Sequence, residues 1–282
     1  MTPTLVIARL TFRELLRRWL VLALLGLSAI VIGLTAWGFS KVPGLHLGGQ
    51  PLTPGELQTA SAQLLLLVMV MFSFVLALSC AFLAAPAIAT DLEAGIAQAL
   101  LARPLRREQL LLGRWLGLSV PMAIYTVASA TLEFLLVRWT TGYFPSQAVA
   151  AEAALVVEGL ILLTFTLALS TRISAITAGV IAVIAFGTMW LGGVAGAFGQ
   201  VFHNAAISNV GLVTHLLLPT DGLWHAAAYA MEPSGFILEA RRGLGSPFQV
   251  ASGPTIAYLA WVGAWLLGVM LLALYSFRNR EA

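Results

Sequence analysis

Four histidines hold most of the metal-binding and proton-transfer capacity in this sequence: His46, His203, His215 and His225. None of them form an HExxH or HxxxH pair, the spacing that puts two imidazoles on one helix face. The linear pattern therefore predicts no metal ligands within one copy of the chain. No GxSxG elbow or serine–histidine–aspartate set is visible, so no catalytic residues are assigned and an intramembrane enzyme is disfavoured. No GxxxxGKS or GxxxxGKT loop occurs, so the chain is expected to bind no nucleotide or other cofactor of its own. Cys80, the single cysteine, lies in an apolar run and reads as a small packing residue; no internal disulfide is possible.

Ionisable groups near membrane depth are costly, which makes them functional candidates. Glu133 and Arg138 lie towards the end of one apolar run, and Glu152 and Glu158 at the start of the next. Snorkelling to the headgroups or mutual pairing accounts for such positions equally well. Glu158 alone lies well inside its apolar run, and it is the candidate for lining a translocation path.

The longest polar interruption is "ATDLEAGIAQALLARPLRREQLLLGRW", residues 89–115. Thr90-x-x-Glu93 has the form of a capping box, in which Thr90 receives a free backbone amide and Glu93 reaches back to the cap. Asp91 and Glu93 also suit the positive start of a helix. The spacing predicts a helix over about 91–102 with Leu92, Ile96, Ala99 and Leu100 on one side, stopped by Pro104. Gly95 lacks a Cβ and would let another surface approach closely. Arg103, Arg106 and Arg107 then lead into the next apolar run. A polar loop that only fixes topology is the plainer alternative.

The elements around these residues follow from composition. The chain has 282 residues, 60% hydrophobic and 10% charged, with a mean hydropathy of +0.93. A soluble domain carries about 25% charged residues, so an all-α, polytopic membrane protein is expected. The net charge of +3 does not indicate nucleic acid, because the basic residues cluster at the ends of apolar runs. Six runs reach the length of a span: 19–39, 62–89, 110–137, 150–170, 173–200 and 255–277. The first is too long for a cleavable signal and reads as a retained span. The short break "STRI" predicts a tight helical hairpin between the fourth and fifth spans.

Orientation follows from the arginines. With a cytoplasmic N-terminus, Arg9, Arg13, Arg17, Arg18, Arg103, Arg106, Arg107, Arg114, Arg172, Arg278 and Arg280 lie inside, and Lys41, Arg138, Arg241 and Arg242 outside. That bias predicts both termini in the cytoplasm. Residues 1–18 are amphipathic: Leu5, Ala8, Phe12, Leu15, Leu16 and Trp19 share one arc, with Ile7 and Leu10 breaking the pattern. Arg9, Arg13, Arg17 and Arg18 share the other arc, which suits a helix lying on anionic headgroups. The outer segment 202–254 is expected to hold short re-entrant or interfacial helices broken at Pro219 and Pro233. Gly192-x-x-x-Gly196 and Gly113-x-x-x-Gly117 permit close helix contact, within one chain or, for the former, between copies. Pro86 and Pro121 are candidate kinks in the second and third spans.

The stretch "DLEAGIAQALLARPLRREQLLLGRWLG" resembles the loop between the second and third spans of type-2 ATP-binding-cassette (ABC) transporter permeases. The matching residues are Glu93, Gly95, Leu100, Leu101, Arg103, Pro104, Arg106, Arg107, Leu111, Gly113, Arg114 and Trp115. "RLTFRELLRRWLVLALL" resembles the same family's elbow helix and first span. The resemblance implies a single permease domain over 1–282, with an elbow helix at 1–18 and a coupling helix at 90–105. The coupling helix would dock into a separate ATPase subunit, present in two copies, where ATP is bound and hydrolysed. It implies contact with that subunit at Asp91, Glu93, Gly95, Arg103, Arg106 and Arg107, and pairing with a second permease copy as a homodimer in the lipid bilayer. It implies an exporter in a prokaryotic plasma membrane, the inner membrane in a Gram-negative cell. Two alternatives stand beside it: a membrane subunit whose ATPase drives mechanical or assembly work with nothing crossing, and an ion-coupled secondary carrier.

Overall fold

The computed structural model describes residues 3–16, 19–44, 46–47, 50–93, 106–233, 250 and 252–279. In hydrocarbon a backbone amide finds no water, so a spanning chain closes its hydrogen bonds along a helix. Among the described residues the helices are α1 Pro3–Leu16, α2 Trp19–Phe39, α3 Pro54–Ala84, α4 Pro86–Glu93, α5 Arg107–Thr141, α6 Ala148–Ser170, α7 Ala175–Val201, α8 Ala205–Leu217, α9 Thr220–Met231 and α10 Ile256–Arg278. A two-residue hairpin, His46–Leu47 against Gln50–Pro51, is the strand content of that region. Among the described residues six helical segments are long and apolar enough to cross a membrane: α2, α3 with its continuation α4, α5, α6, α7 and α10. The chain is an all-α polytopic membrane protein.

Helix limits follow their caps. α3 begins at Pro54, ahead of the expected 62, because Thr53 closes a capping box: the Glu56 amide donates to Thr53 Oγ1 at 3.4 Å and the Thr53 amide to Glu56 Oε2 at 2.8 Å. Pro54 sits at the first helical position, where its missing N–H costs nothing. The capping box expected at Thr90 does not form. α4 already runs from Pro86 through Glu93, so Thr90 is helical, and an N-cap must be non-helical. Pro86 marks the joint between α3 and α4, whereas Pro121 lies inside an unbroken α5. The expected course of residues 94–105 lies outside the described residues.

α6 runs through the middle of the bundle, against α3, α5, α7, α9 and α10. Leu155, Ile161, Leu162, Leu163 and Leu167 are fully buried along it. α2 and α10, by contrast, expose most of their apolar surface, including Leu22, Ile30, Leu34, Leu267 and Leu271. Such surface matches hydrocarbon and needs no partner within the chain.

The segment after α7 is more deeply embedded than an outer loop. α8 turns back antiparallel along α7, and three bare positions make the contact. A Cβ on Gly192 would lie 2.2 Å from Thr214 Cγ2, one on Gly196 2.6 Å from Gly211 Cα, and one on Gly199 2.4 Å from the Ser208 amide nitrogen. The Gly192–Gly196 pair is thus used within one chain, and the two backbones lie nearly in contact. α9 then folds into the bundle with Leu223, Ala227, Ala228, Ala230 and Met231 buried. Its alanines allow this close seat against α6.

Pro219 forces the corner between α8 and α9, since it cannot donate to the preceding turn. α10 donates to the carbonyls there, although that of Pro219 also accepts from the Leu223 amide at 3.4 Å. Trp261 Nε1 donates to Leu216 O at 3.2 Å, Trp265 Nε1 to Leu217 O at 2.9 Å and Tyr258 Oη to Pro219 O at 3.0 Å. Positions 258, 261 and 265 recur at helical spacing, so one face of α10 supplies all three donors.

Candidate functional site

The arginine-rich end of the bundle gathers α1, the start of α5, the α6–α7 turn and the end of α10. α1 packs on α5 through Gly113 and Gly117: a Cβ on Gly113 would meet Ile7 Cβ at 2.6 Å, and one on Gly117 would meet Thr11 Cβ at 2.6 Å and Ala8 O at 2.7 Å. The face of α1 against α5 is therefore Ile7, Thr11 and Leu15, of which only Leu15 belongs to the expected apolar arc. Ile7, which appeared to break the pattern, is central to the contact, while Leu5, Leu10 and Phe12 stay exposed. The bare glycine ridge explains the choice, and Thr11 tolerates burial because its hydroxyl donates to Ile7 O at 3.0 Å. Arg9 and Arg13 are exposed; Arg17 and Arg18 lie outside the described residues.

Arg114 ties α5 to α1 by an ion pair with Glu14 at 2.6 Å, with Glu14 about half exposed. Such a pair contributes about 1 kcal/mol or less. Glu14→Ala is accordingly expected to lower the thermal unfolding midpoint in detergent only slightly, the glycine contacts carrying the docking. A collapse of the fold in that variant would show that the ion pair, not the glycine ridge, holds α1.

The expected ATPase-contact residues fall in different settings. Asp91 and Glu93 belong to the last turn of α4. Gly95 and Arg103 lie outside the described residues. Arg106 is the N-cap residue of α5 and is exposed, and its amide donates to the side chain of Gln109 at 3.1 Å. Arg107 turns the other way: its Nη1 donates to Phe277 O at 3.2 Å and Arg278 O at 3.4 Å, placing positive charge at the negative C-terminal end of α10. Arg172 and Thr171, in the α6–α7 turn, both bond Ser276 Oγ, at 2.6 and 3.1 Å. The rim is thus braced by contacts between distant parts of the chain.

Within the bundle, Glu158 is 1% exposed and accepts from Ser73 Oγ at 2.5 Å. It points into the contact of α6 with α3. Glu133 is just as deep, which the sequence did not suggest: it is 2% exposed and accepts from Thr35 on α2 at 3.4 Å. One oxygen of each carboxylate has no hydrogen-bond partner among the described residues. Glu152, in contrast, accepts from Thr131 at 2.7 Å, and Arg138 lies over the Phe144 ring, 5.4 Å from its centroid. At the far end of α9, burial pushes the Glu232 carboxyl up to about 7 although the Val250 amide donates to it.

A further cluster sits at the Pro219 corner. His215, on the last turn of α8, and His225, on α9, converge on Asp221. His215 Nε2 donates to Asp221 Oδ2 at 2.6 Å, and His225 Nδ1 lies 3.4 Å from the same oxygen and donates to Asp221 O at 2.8 Å. Asp221 is 3% exposed, against the bare backbone of α7 at Gly193, where a Cβ would lie 1.9 Å from Oδ2. The histidines were scattered in sequence, and a search for histidine pairs missed them because the third partner is an aspartate. The Asp221-x-x-x-His225 spacing, one helical turn, was the available signal.

These features define a polytopic helical membrane protein with a docked N-terminal helix and a short helix pair, α8 and α9, packed on the bundle. The sequence matches the family described as ABC-2 family transporter protein over residues 5–282, and the chain belongs to that family. It is a membrane subunit of an ABC transporter. A comparison with curated proteins finds no match.

Proposed function

We propose that the chain is the permease half of an ATP-driven exporter, powered by a separate ATPase subunit. Two copies, each with six spans, form a path between them in a prokaryotic plasma membrane, the inner membrane of a Gram-negative cell, with both termini cytoplasmic. Residues 90–105 act as the coupling helix. Asp91, Glu93, Gly95, Arg103 and Arg106 meet the ATPase, and Arg107 links that contact to α10. The elbow helix carries the same motion into α5 through Gly113 and Gly117. ATP is held by the partner, and Glu158 takes part in the translocation path. The observation that carries this reading is the family match across residues 5–282.

Support comes from the bracing described above. A load applied near residue 106 reaches α10 through Arg107 and α1 through Arg114, so the whole rim can move as a unit. The test is purification of tagged protein from its own membranes in mild detergent. A soluble ATPase subunit is expected to co-purify with the wild type, and Glu93→Arg, which reverses a charge on the last turn of α4, is expected to lose it while leaving the permease folded. Absence of any ATPase under several mild conditions would sink the reading. Its retention at wild-type levels in Glu93→Arg would remove that contact from the proposal.

A further inference from the structure

We infer that His215, Asp221 and His225 form a binding site for one divalent first-row transition-metal ion, which clips α8 to α9 across the Pro219 corner. One donor atom from each residue lies within 4.8 Å of the other two. Around a tetrahedral zinc ion with bonds of about 2.0–2.1 Å, donors stand about 3.3 Å apart. The separations of Asp221 Oδ2 from the two ring nitrogens, 2.6 and 3.4 Å, bracket that value. Small rotations of the two rings would therefore bring all three groups onto one centre.

The donor set selects the ion class. Two imidazole nitrogens and one carboxylate oxygen suit zinc, cobalt, nickel or copper, whereas magnesium and calcium require mostly oxygen. Three protein ligands leave a fourth position open. The surroundings fit a held ion as well. Asp221 is sealed against Gly193, so its carboxylate is fixed in place, while the two histidines are about one third exposed and give an ion a way in. Without metal the nitrogens donate protons towards Asp221. A cation would take the place of those protons, and each neutral imidazole would carry its proton on the other ring nitrogen.

The plainer reading is a cluster that holds its corner with protons alone, and the two readings predict different measurements. Full-length protein in lipid nanodiscs, stripped with chelator, would be titrated with Zn2+ and, separately, with Co2+. The expected result is one Zn2+ per chain, a rise in unfolding temperature, and a visible cobalt band of tetrahedral intensity. Asp221→Asn and His225→Gln should each weaken Zn2+ by more than about 100-fold, beyond the usual cost of losing an outer-shell partner. His46→Gln with His203→Gln should change nothing. His225 is partly exposed, so His225→Gln is expected to fold even if Asp221→Asn does not. Failure of the wild type to bind a stoichiometric ion, or binding unchanged in His225→Gln, would overturn the site. Because the readout needs no ATPase and no transport, its failure is separate from any failure of the exporter reading.

Discussion

Gly196→Leu should separate α8 from α7 and cause a large loss of stability. At Gly196 the first atom of a side chain would lie 2.6 Å from Gly211 Cα and 3.0 Å from the Gly211 nitrogen. Both are backbone atoms on a packed helix, so no rotamer relieves the clash, and one helix must move. Overpacking costs about 1–3 kcal/mol where side chains can adjust, and here they cannot. The separation would also lift Gly192 from Thr214 and Gly199 from Ser208, and with them the floor beneath Asp221. Thermal unfolding in detergent should show a large drop for Gly196→Leu and a smaller one for Gly196→Ala. Gly268→Ala is the control: nothing lies within 4 Å of a Cβ there, and the helix gains propensity. A Gly196→Leu protein as stable as the wild type would mean that α8 does not lie on α7.

The second large effect is expected from Gly117→Leu. A side chain there would meet Thr11 Cβ at 2.6 Å and the Ala8 carbonyl at 2.7 Å, so α1 must leave α5. The spans need not follow, since α1 meets the bundle chiefly through α5. The variant should insert and purify, while trypsin cuts at the exposed Arg9 and Arg13 at least about tenfold faster, because a helix released from its docking surface opens locally. If the exporter reading holds, nucleotide hydrolysis in the complex should also lose its response to the permease. Unchanged cleavage at Arg9 and Arg13 would mean that α1 is not anchored by the glycine ridge.

Six spans were legible because a span is a one-dimensional signal. About 20 apolar residues in a row suffice, and α2, from Trp19 to Phe39, falls where the apolar run lies. Helix ends were less legible. Thr90 and Glu93 carry the right residue types for a capping box, but Pro86 had already begun the helix, and only a choice between competing starts could reveal that. The inner face of α1 was hidden for a related reason. Side-chain polarity gave an apolar arc for the membrane interface, whereas the contact with α5 was decided by what α5 lacks at Gly113 and Gly117. The histidine cluster was hidden by chain folding: its members meet only after Pro219 turns α9 back towards α8. Glu133 looked peripheral because its run ends a few residues later, yet α2 lies beside it and buries it.

The three donors on α10 impose an order on biogenesis. Leu216 and Leu217 present carbonyls that take the indole N–H groups of Trp261 and Trp265, and Tyr258 adds a donor to the Pro219 carbonyl, which also accepts from the Leu223 amide at 3.4 Å. A ribosome releases those aromatic residues some forty positions after the corner. Until then the corner between α8 and α9 lacks the two indole donors for Leu216 and Leu217, and an unmatched acceptor in hydrocarbon costs roughly several kcal/mol. The corner is therefore expected to stay near water until the last helix arrives. A chain that ends before residue 258 lacks all three donors, so loss of the last span is expected to loosen a corner far from the break.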